Sequence, residues 1–148
     1  MIIDNLEITG ALQISLNNEV VHQCDNLVVT AGKEWVANRF KDDGGGFTQL
    51  GEMTHMAVGS GSAAAAVGNT ALGAELNRIA LTTAGGTVSG ATVQYDATWT
   101  SSSPAYAIEE AGIFTASTGG TMLARTVFAI INKGTDDTVS ISWTITVS

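Results

Sequence analysis

Few residues of this 148-residue chain have the type and spacing that catalysis requires. Glu109 and Glu110 are adjacent, and neighbouring residues of a strand point to opposite faces of a sheet. The two carboxylates therefore cannot act as an acid and a base on one substrate. We expect one of them to lie at the surface and the other to pair with Arg78 or Arg125.

The residues that could ligate a metal ion are too few and too scattered. His22 and Cys24 lie two residues apart on a predicted strand, so both could touch one ion. Zinc sites usually need four ligands, and the other histidine, His55, lies in a different predicted strand. Asp42-Asp43-Gly44 lacks the alternating oxygen ligands and the closing glutamate of a calcium loop. The sequence therefore predicts no metal site.

Two further patterns have simple structural interpretations. Gly59-Ser60-Gly61-Ser62 has the glycines of a phosphate loop but not its Gly-Lys-Ser/Thr ending, so we interpret it as a turn. Trp35, Trp99 and Trp143 could form a sugar-binding platform. However, Trp99 and Trp143 fall on the apolar faces of alternating strands, where packing in the core is favoured. The sequence predicts neither catalytic residues nor a cofactor.

Alternation of apolar and polar residues predicts the elements that hold these side chains. Between Leu6 and Leu16 the even positions are apolar or glycine, so one face of a strand covers a core. Further strands are predicted at Met53–Val58, Val93–Trp99, Tyr106–Phe114, Met122–Ile131 and Val139–Val147. The run from Leu72 to Leu81 suits either a helix or a strand. Lys133–Asp137 is predicted to close a hairpin onto the C-terminal strand.

One segment changes from a period of two to a helical period. Near residues 31–41, Trp35, Val36 and Phe40 can share one face, which predicts one short helix. Thr30 is a candidate N-cap for this helix, because its hydroxyl could accept a hydrogen bond from the first turn.

These elements predict an all-β fold. About seven strands, with turn signals at short intervals and one helix, are typical of an antiparallel β-sandwich, here jelly-roll-like. The length favours a single domain over residues 1–148. Within it, residues 42–52 and 59–71 are predicted to be flexible loops or arms.

Composition excludes several classes of partner. The chain has 14 acidic and 6 basic residues and a net charge of −8, whereas binding of phosphates needs clustered lysine and arginine. We therefore expect no nucleic acid partner, and no apolar run approaches the ~18 residues of a membrane span. The single cysteine excludes an internal disulfide. Only 14% of residues are charged and the mean hydropathy is +0.22, which predicts surface buried against copies or partners.

Several short motifs resemble small virion proteins of tailed bacteriophages. The motifs are Thr54–Gly61, Thr70–Leu76 with Arg78, Glu110–Phe114, Gly119–Arg125 and Trp143–Ile145. The resemblance covers roughly residues 54–147, and the group includes capsid-decorating proteins and domains near the base of tail fibres. It implies a non-enzymatic building block that forms a homo-oligomer, with trimers frequent among decoration proteins.

The resemblance and the composition together favour a capsid decoration, or cement, protein. Its expected partners are the major capsid protein or other virion proteins. Its expected location is the virion, assembled in the host bacterial cytoplasm, since the first residues do not resemble a secretory signal. The candidate interface residues, which could instead belong to the core, are Ile2, Ile3, Phe47 and Leu50.

Two alternatives are consistent with the same sequence. The first is a tail, baseplate or fibre-attachment component of the virion. The second is a carbohydrate-binding module, in which Trp99, Tyr95 or Tyr106 would stack on a sugar ring.

Overall fold

The computed structural model describes residues 1–2, 4–40 and 50–148. In these residues the chain forms ten strands and one helix: β1 (Ile8–Leu16), β2 (Glu19–Asp25), β3 (Leu27–Val28), α1 (Thr30–Arg39), β4 (His55–Gly59), β5 (Glu75–Ala80), β6 (Thr87–Ser89), β7 (Thr92–Trp99), β8 (Tyr106–Phe114), β9 (Met122–Lys133) and β10 (Val139–Val147). The predicted strands are confirmed within a few residues at each end.

The strands form two five-stranded sheets. The first sheet has the order β2-β1-β10-β7-β6, and the second has the order β3-β9-β8-β4-β5. Every pairing is antiparallel, and the first long strand, β1, lies beside the last, β10. The predicted antiparallel β-sandwich with one short helix is therefore confirmed.

The core lies between the sheets and follows the alternation of the sequence. Trp99 on β7 and Trp143 on β10 are both 0% exposed, as predicted for core residues. Their indole N–H groups donate to the side-chain oxygens of Asn77 (2.9 Å) and Asn26 (2.7 Å). The second sheet contributes buried residues to the same cluster, among them Met56, Val58, Ile108, Ile113 and Leu123. Since both indoles have acceptors, two large aromatic residues are buried without an unpaired donor.

The predicted hairpin at Lys133–Asp137 is wrong. β9 and β10 belong to different sheets, so this segment carries the chain across the sandwich. Two sets of contacts fix its path. The buried Lys133 ammonium donates to three backbone carbonyls, and the Asn17 side chain bonds Asp137 (2.8 Å) and the Thr138 N–H (2.9 Å). The loop is thereby held at the end of β1, and β10 pairs with β1 instead of β9.

The helix is present, with two differences from the prediction. Val29 occupies the N-cap position instead of Thr30, and no side chain caps the helix. Phe40 does not share the inner face, because it is 73% exposed. A β-carbon at Gly32 would collide with the backbone of β9, so a glycine is needed where the helix lies against that strand.

The ambiguous run from Leu72 to Leu81 contains strand β5, which pairs with β4 at one edge of the second sheet. The structure adds the short strand β6, which the sequence analysis did not predict. Of the two predicted loops, residues 42–49 lie outside the described residues. Segment 59–71 has no helix, and only Gly59 belongs to a strand.

Candidate functional site

A buried ion pair lies on the outer face of the second sheet. Arg125 on β9 donates to one carboxylate oxygen of Glu110 on β8 from Nε (2.9 Å) and Nη2 (2.7 Å). The side chains are 3% and 0% exposed, respectively. The prediction that one of the two adjacent glutamates pairs with Arg78 or Arg125 is therefore confirmed for Glu110.

The same carboxylate binds both ends of the segment that follows β4. Glu110 accepts hydrogen bonds from the backbone N–H groups of Gly61 (3.0 Å), Gly73 (2.9 Å) and Ala74 (2.7 Å). We call residues 60–74 the arm, and we call Glu110, Arg125 and the arm backbone that they bind the clasp. Hydrogen bonds to a charged acceptor are roughly twice as strong as those between neutral groups, so the arm ends are firmly attached to β8.

Arg125 holds the middle of the arm. Its guanidinium donates to the carbonyl oxygens of Ala63 (3.1 Å) and Ala64 (3.4 Å) and to Oδ1 of Asn69 (2.9 Å). Asn69 Oδ1 also accepts from the backbone N–H of Ala66 (2.8 Å). The arm contains no helix or strand, and these hydrogen bonds hold it against the sheet.

A small apolar cluster on the same face supports the clasp. Leu72 of the arm packs with Phe114 on β8 and Met122 on β9, and Val29 and Ala57 complete the cluster. The arm therefore covers apolar as well as charged groups, and its attachment does not depend on the ion pair alone.

The clasp explains the glycines that resemble a phosphate loop. A β-carbon at Gly59 would lie 2.5 Å from both the Ala74 carbonyl oxygen and a Glu110 carboxylate oxygen. A β-carbon at Gly61 would also collide with Glu110. These glycines thus make room for a carboxylate, whose negative charge would repel a phosphate. The interpretation of this motif as a turn is wrong, because Gly59 is the last residue of β4 and residues 60–62 form irregular chain without a turn.

A second ion pair lies within β5, and its arginine also ties this strand to the turn between β8 and β9. Arg78 binds both carboxylate oxygens of Glu75 (3.0 and 2.6 Å) and donates to the carbonyl oxygens of Ala116 and Gly119 (2.9 Å each). Its guanidinium carbon lies 3.7 Å from the ring centroid of Phe114. Arg78 therefore connects the edge strand to the apolar cluster beneath the arm.

Hydrogen bonding determines the ionisation of Glu110. Burial alone would raise the pKa of this carboxyl group. The N–H groups of Ala74 and Gly73, the Arg125 side chain and the Gly61 N–H together outweigh burial, so the pKa lies below its ordinary value. The carboxylate is thus held in its charged form by the arm that it fixes.

The candidate interface residues lie in different parts of the chain. Ile2 precedes β1 and is 98% exposed. Leu50 is 37% exposed, and its backbone N–H donates to Asn38 of α1 (3.0 Å). Ile3 and Phe47 lie outside the described residues. Of the two described candidates, Ile2 is thus far more available to a partner.

The aromatic residues considered for sugar stacking do not form a platform. Trp99 and Tyr95 are 0% and 2% exposed, and burial raises the pKa of Tyr95 to about 12, although the charge of Arg39 opposes this rise. Tyr106 is half-buried and packs against the core. Trp35 donates its indole N–H to the Gly51 carbonyl (2.7 Å). The rings of Trp99 and Tyr95 therefore have no face open to a sugar.

The fold places His55 in a different sheet from His22 and Cys24, which lie together on β2. The His22 ring packs against the Phe128 ring at an angle of 39°, with centroids 5.5 Å apart, and the Cys24 sulfur lies 3.5 Å from the Thr126 hydroxyl. His55 lies on β4 in the other sheet, next to the Thr54 hydroxyl (2.7 Å). Within residues 1–2, 4–40 and 50–148, no three histidine, cysteine or acidic residues are grouped so as to hold a metal ion.

Sequence reasoning missed the role of Glu110 as the attachment point of the arm. One signal was available, since Glu109 and Glu110 are two charged residues inside an otherwise largely apolar strand, β8. No protein-family model, curated protein or solved structure matches this chain. In the part of the chain that the structure describes, no helix has the length and apolar character needed to cross a membrane.

Proposed function

We propose that this chain is a structural protein of a tailed-bacteriophage virion. One observation carries the proposal: four of the five motifs on which the resemblance depends contribute residues to the clasp. Gly61, Gly73 and Arg125 come from three of these motifs and all donate to the carboxylate of Glu110, which belongs to the fourth. A structural role, which is to hold the arm, thus accounts for the motif residues that form the clasp.

The state of the charged groups supports a non-enzymatic role. A catalytic carboxylate must reach a proton on its substrate, whereas Glu110 is 0% exposed and bound by the chain itself. The guanidinium of Arg125 is likewise occupied by Glu110 and the arm. Neither group is free to act on a bound molecule.

Within the virion, we propose a head decoration protein that binds the outer surface of the major capsid protein and stabilises the shell. A protein that bridges subunits under internal pressure needs a body that does not deform, and the clasp holds the longest described irregular segment in place. The net charge of −8 suits a surface that faces solvent. Exposed apolar residues before β1, Met1 and Ile2 among them, offer contacts for a partner.

The test adds purified chain to phage particles, with heads and tails, that lack the protein, and locates the added density by cryo-electron microscopy. Density at icosahedral positions, with increased resistance of the heads to heat or chelator, is the expected result. Particles that already carry the protein in its native amount show the density expected when every binding position is filled. Unchanged resistance of fully occupied heads would reject the cement role. Density only at the tail would instead support a tail, baseplate or fibre-attachment component, and no added density on either would reject a virion role.

One observation favours the carbohydrate-binding alternative. A groove of about 650 Å³ lies on the outer face of the first sheet, and its lining includes the amide side chains of Gln13, Gln23 and Gln94. Amides can hydrogen-bond sugar hydroxyls, but no aromatic ring lines the groove. Binding on a glycan array that Gln94→Ala abolishes and Thr98→Ala, a change on the same strand outside the groove, preserves would establish this function.

A further inference from the structure

The beginning of β1 has one open edge. On one side β1 pairs with β10 over its whole length, from Ile8 to Leu16. On the other side β2 pairs with it only from Ala11 onwards, and the Asn26 N–H donates to the Gly10 carbonyl (3.0 Å), so the open part of this edge lies at Ile8. Just before β1, Glu7 and Ser148 exchange two backbone hydrogen bonds (2.6 and 2.9 Å). Since bonding alternates along an antiparallel pair, the backbone N–H and C=O of Ile8 point away from β10. In the described chain, no strand continues on the side to which they point.

A groove of about 390 Å³ lies along this open edge. Its apolar lining includes Ile8, Leu27 and Val28, and Lys33 of α1 is the only cationic residue in it. Asp25 also lines the groove, beside Ala11, where β2 ends. An extended, mainly apolar peptide could therefore find both a strand edge and side-chain contacts here.

The segment that precedes β1, residues 1–6, has the apolar character, the charge and the length that this groove would bind. Met1, Ile2 and Leu6 are 109%, 98% and 60% exposed, so the described apolar residues of this segment lie largely in solvent. Asp4 is the only charged side chain among residues 1–6, and its carboxylate complements the ammonium group of Lys33. Six extended residues span about 20 Å, which is enough to lie along the open edge.

The path of the chain favours docking between two copies. To enter its own groove, the segment would have to reverse direction immediately before Glu7, which is held to Ser148. A segment from a second copy can enter the groove without this turn.

We propose that the segment before β1 of one copy adds as an extra strand to the open edge of β1 in a second copy, and that copies of this chain are joined in this way. The affinity comes from backbone hydrogen bonds to Ile8 and from burial of the apolar side chains of the segment. The contact between Asp4 and Lys33 sets the direction of the added strand. This inference does not depend on the proposed role in the virion.

Carbodiimide cross-linking of the full chain tests which copy provides the segment. Equal amounts of ¹⁴N- and ¹⁵N-labelled protein are mixed, treated to join carboxylates to nearby amines, digested, and analysed by mass spectrometry. Peptides that join Asp4 to Lys33 with mixed isotopes are expected, and they should disappear in Asp4→Asn. Joined peptides of a single isotope only would mean that the segment folds back on its own copy, which overturns the proposal. Absence of the joined peptide would overturn it as well.

Sedimentation measurements test whether the segment holds the copies together. Ile2→Asp is expected to raise the dissociation constant of the oligomer at least about tenfold. Val88→Asp is the matched control, since Val88 is 72% exposed on β6 and lies outside the groove. Equal weakening of the oligomer by both variants would indicate general apolar association and refute the proposal. A wild-type chain that is monomeric at every protein concentration measured would refute it as well. Unchanged unfolding temperatures show that both variants remain folded.

Discussion

The substitution Glu110→Gln removes the charge at the centre of the clasp while nearly preserving its shape. The glutamine offers one acceptor oxygen in place of two, and its NH₂ group faces donors from the arm or from Arg125. The guanidinium, 3% exposed, then lacks a counter-charge. Breaking a buried ion pair by removal of one partner costs about 3–5 kcal/mol. Since a domain of this kind is stable by only about 5–15 kcal/mol, the loss is a large share of the total.

Denaturant and thermal unfolding, followed by circular dichroism, measure this loss. At roughly 2–4 °C per kcal/mol, the expected decrease in the unfolding temperature is about 6–20 °C. Glu109→Gln is the matched control, because this half-buried neighbour takes no part in the clasp, and its variant should stay within about 1 kcal/mol of the wild type. A loss below about 1 kcal/mol for Glu110→Gln, or equal losses for both variants, would refute the assignment of Glu110 as the attachment point.

Three further predictions concern pH and packing. The pKa of Glu110 is lower in the folded than in the unfolded chain, so ionisation of this group stabilises the fold. This stabilisation is complete above the ordinary pKa of 4.5 and is lost as the pH falls through the folded-state pKa. The free energy of unfolding, measured against pH, should show this loss in the wild type and a weaker one in Glu110→Gln. The pKa of Tyr95 is raised by burial to about 12 from 10.0, so the free energy of unfolding should fall between pH 10 and 12, and Tyr95→Phe should flatten that slope. Gly59→Ala should destabilise the fold by about 1–3 kcal/mol, because its β-carbon meets the Ala74 carbonyl, whereas Gly68→Ala, which has open space around it, should stay within about 0.5 kcal/mol in the same unfolding assay.

The period of two was sufficient to predict most of the strands and their inner faces. Residues of β7 and β10 alternate along the strand, and Trp99 and Trp143 are buried where the pattern indicates. The pairing of a glutamate with Arg125 could also be predicted in part, since a charged side chain in an apolar strand requires a partner. The sequence could not indicate which glutamate is paired.

The features that the sequence did not predict depend on contacts between distant residues. The turn chemistry of Lys133–Asp137 indicates a change of direction but not the sheet to which the chain passes. That outcome depends on Asn17, which is 120 residues from Asp137 in the chain. The arm has no periodicity, and it is positioned by Glu110 and Arg125, which follow it in sequence by 36 to 62 residues at the contacts that hold it. Local sequence patterns do not reveal contacts between residues that are far apart in the chain.

The arm is closed at its base, because Gly61 at one end and Gly73 at the other share one carboxylate. Lengthening such a ring at its tip adds only the slowly growing entropy of loop closure and leaves the base unchanged. Gly68 lies near the tip with open space around it. A foreign peptide inserted at Gly68 would therefore be displayed on a fixed platform, and the sandwich beneath it would keep its strand pairing.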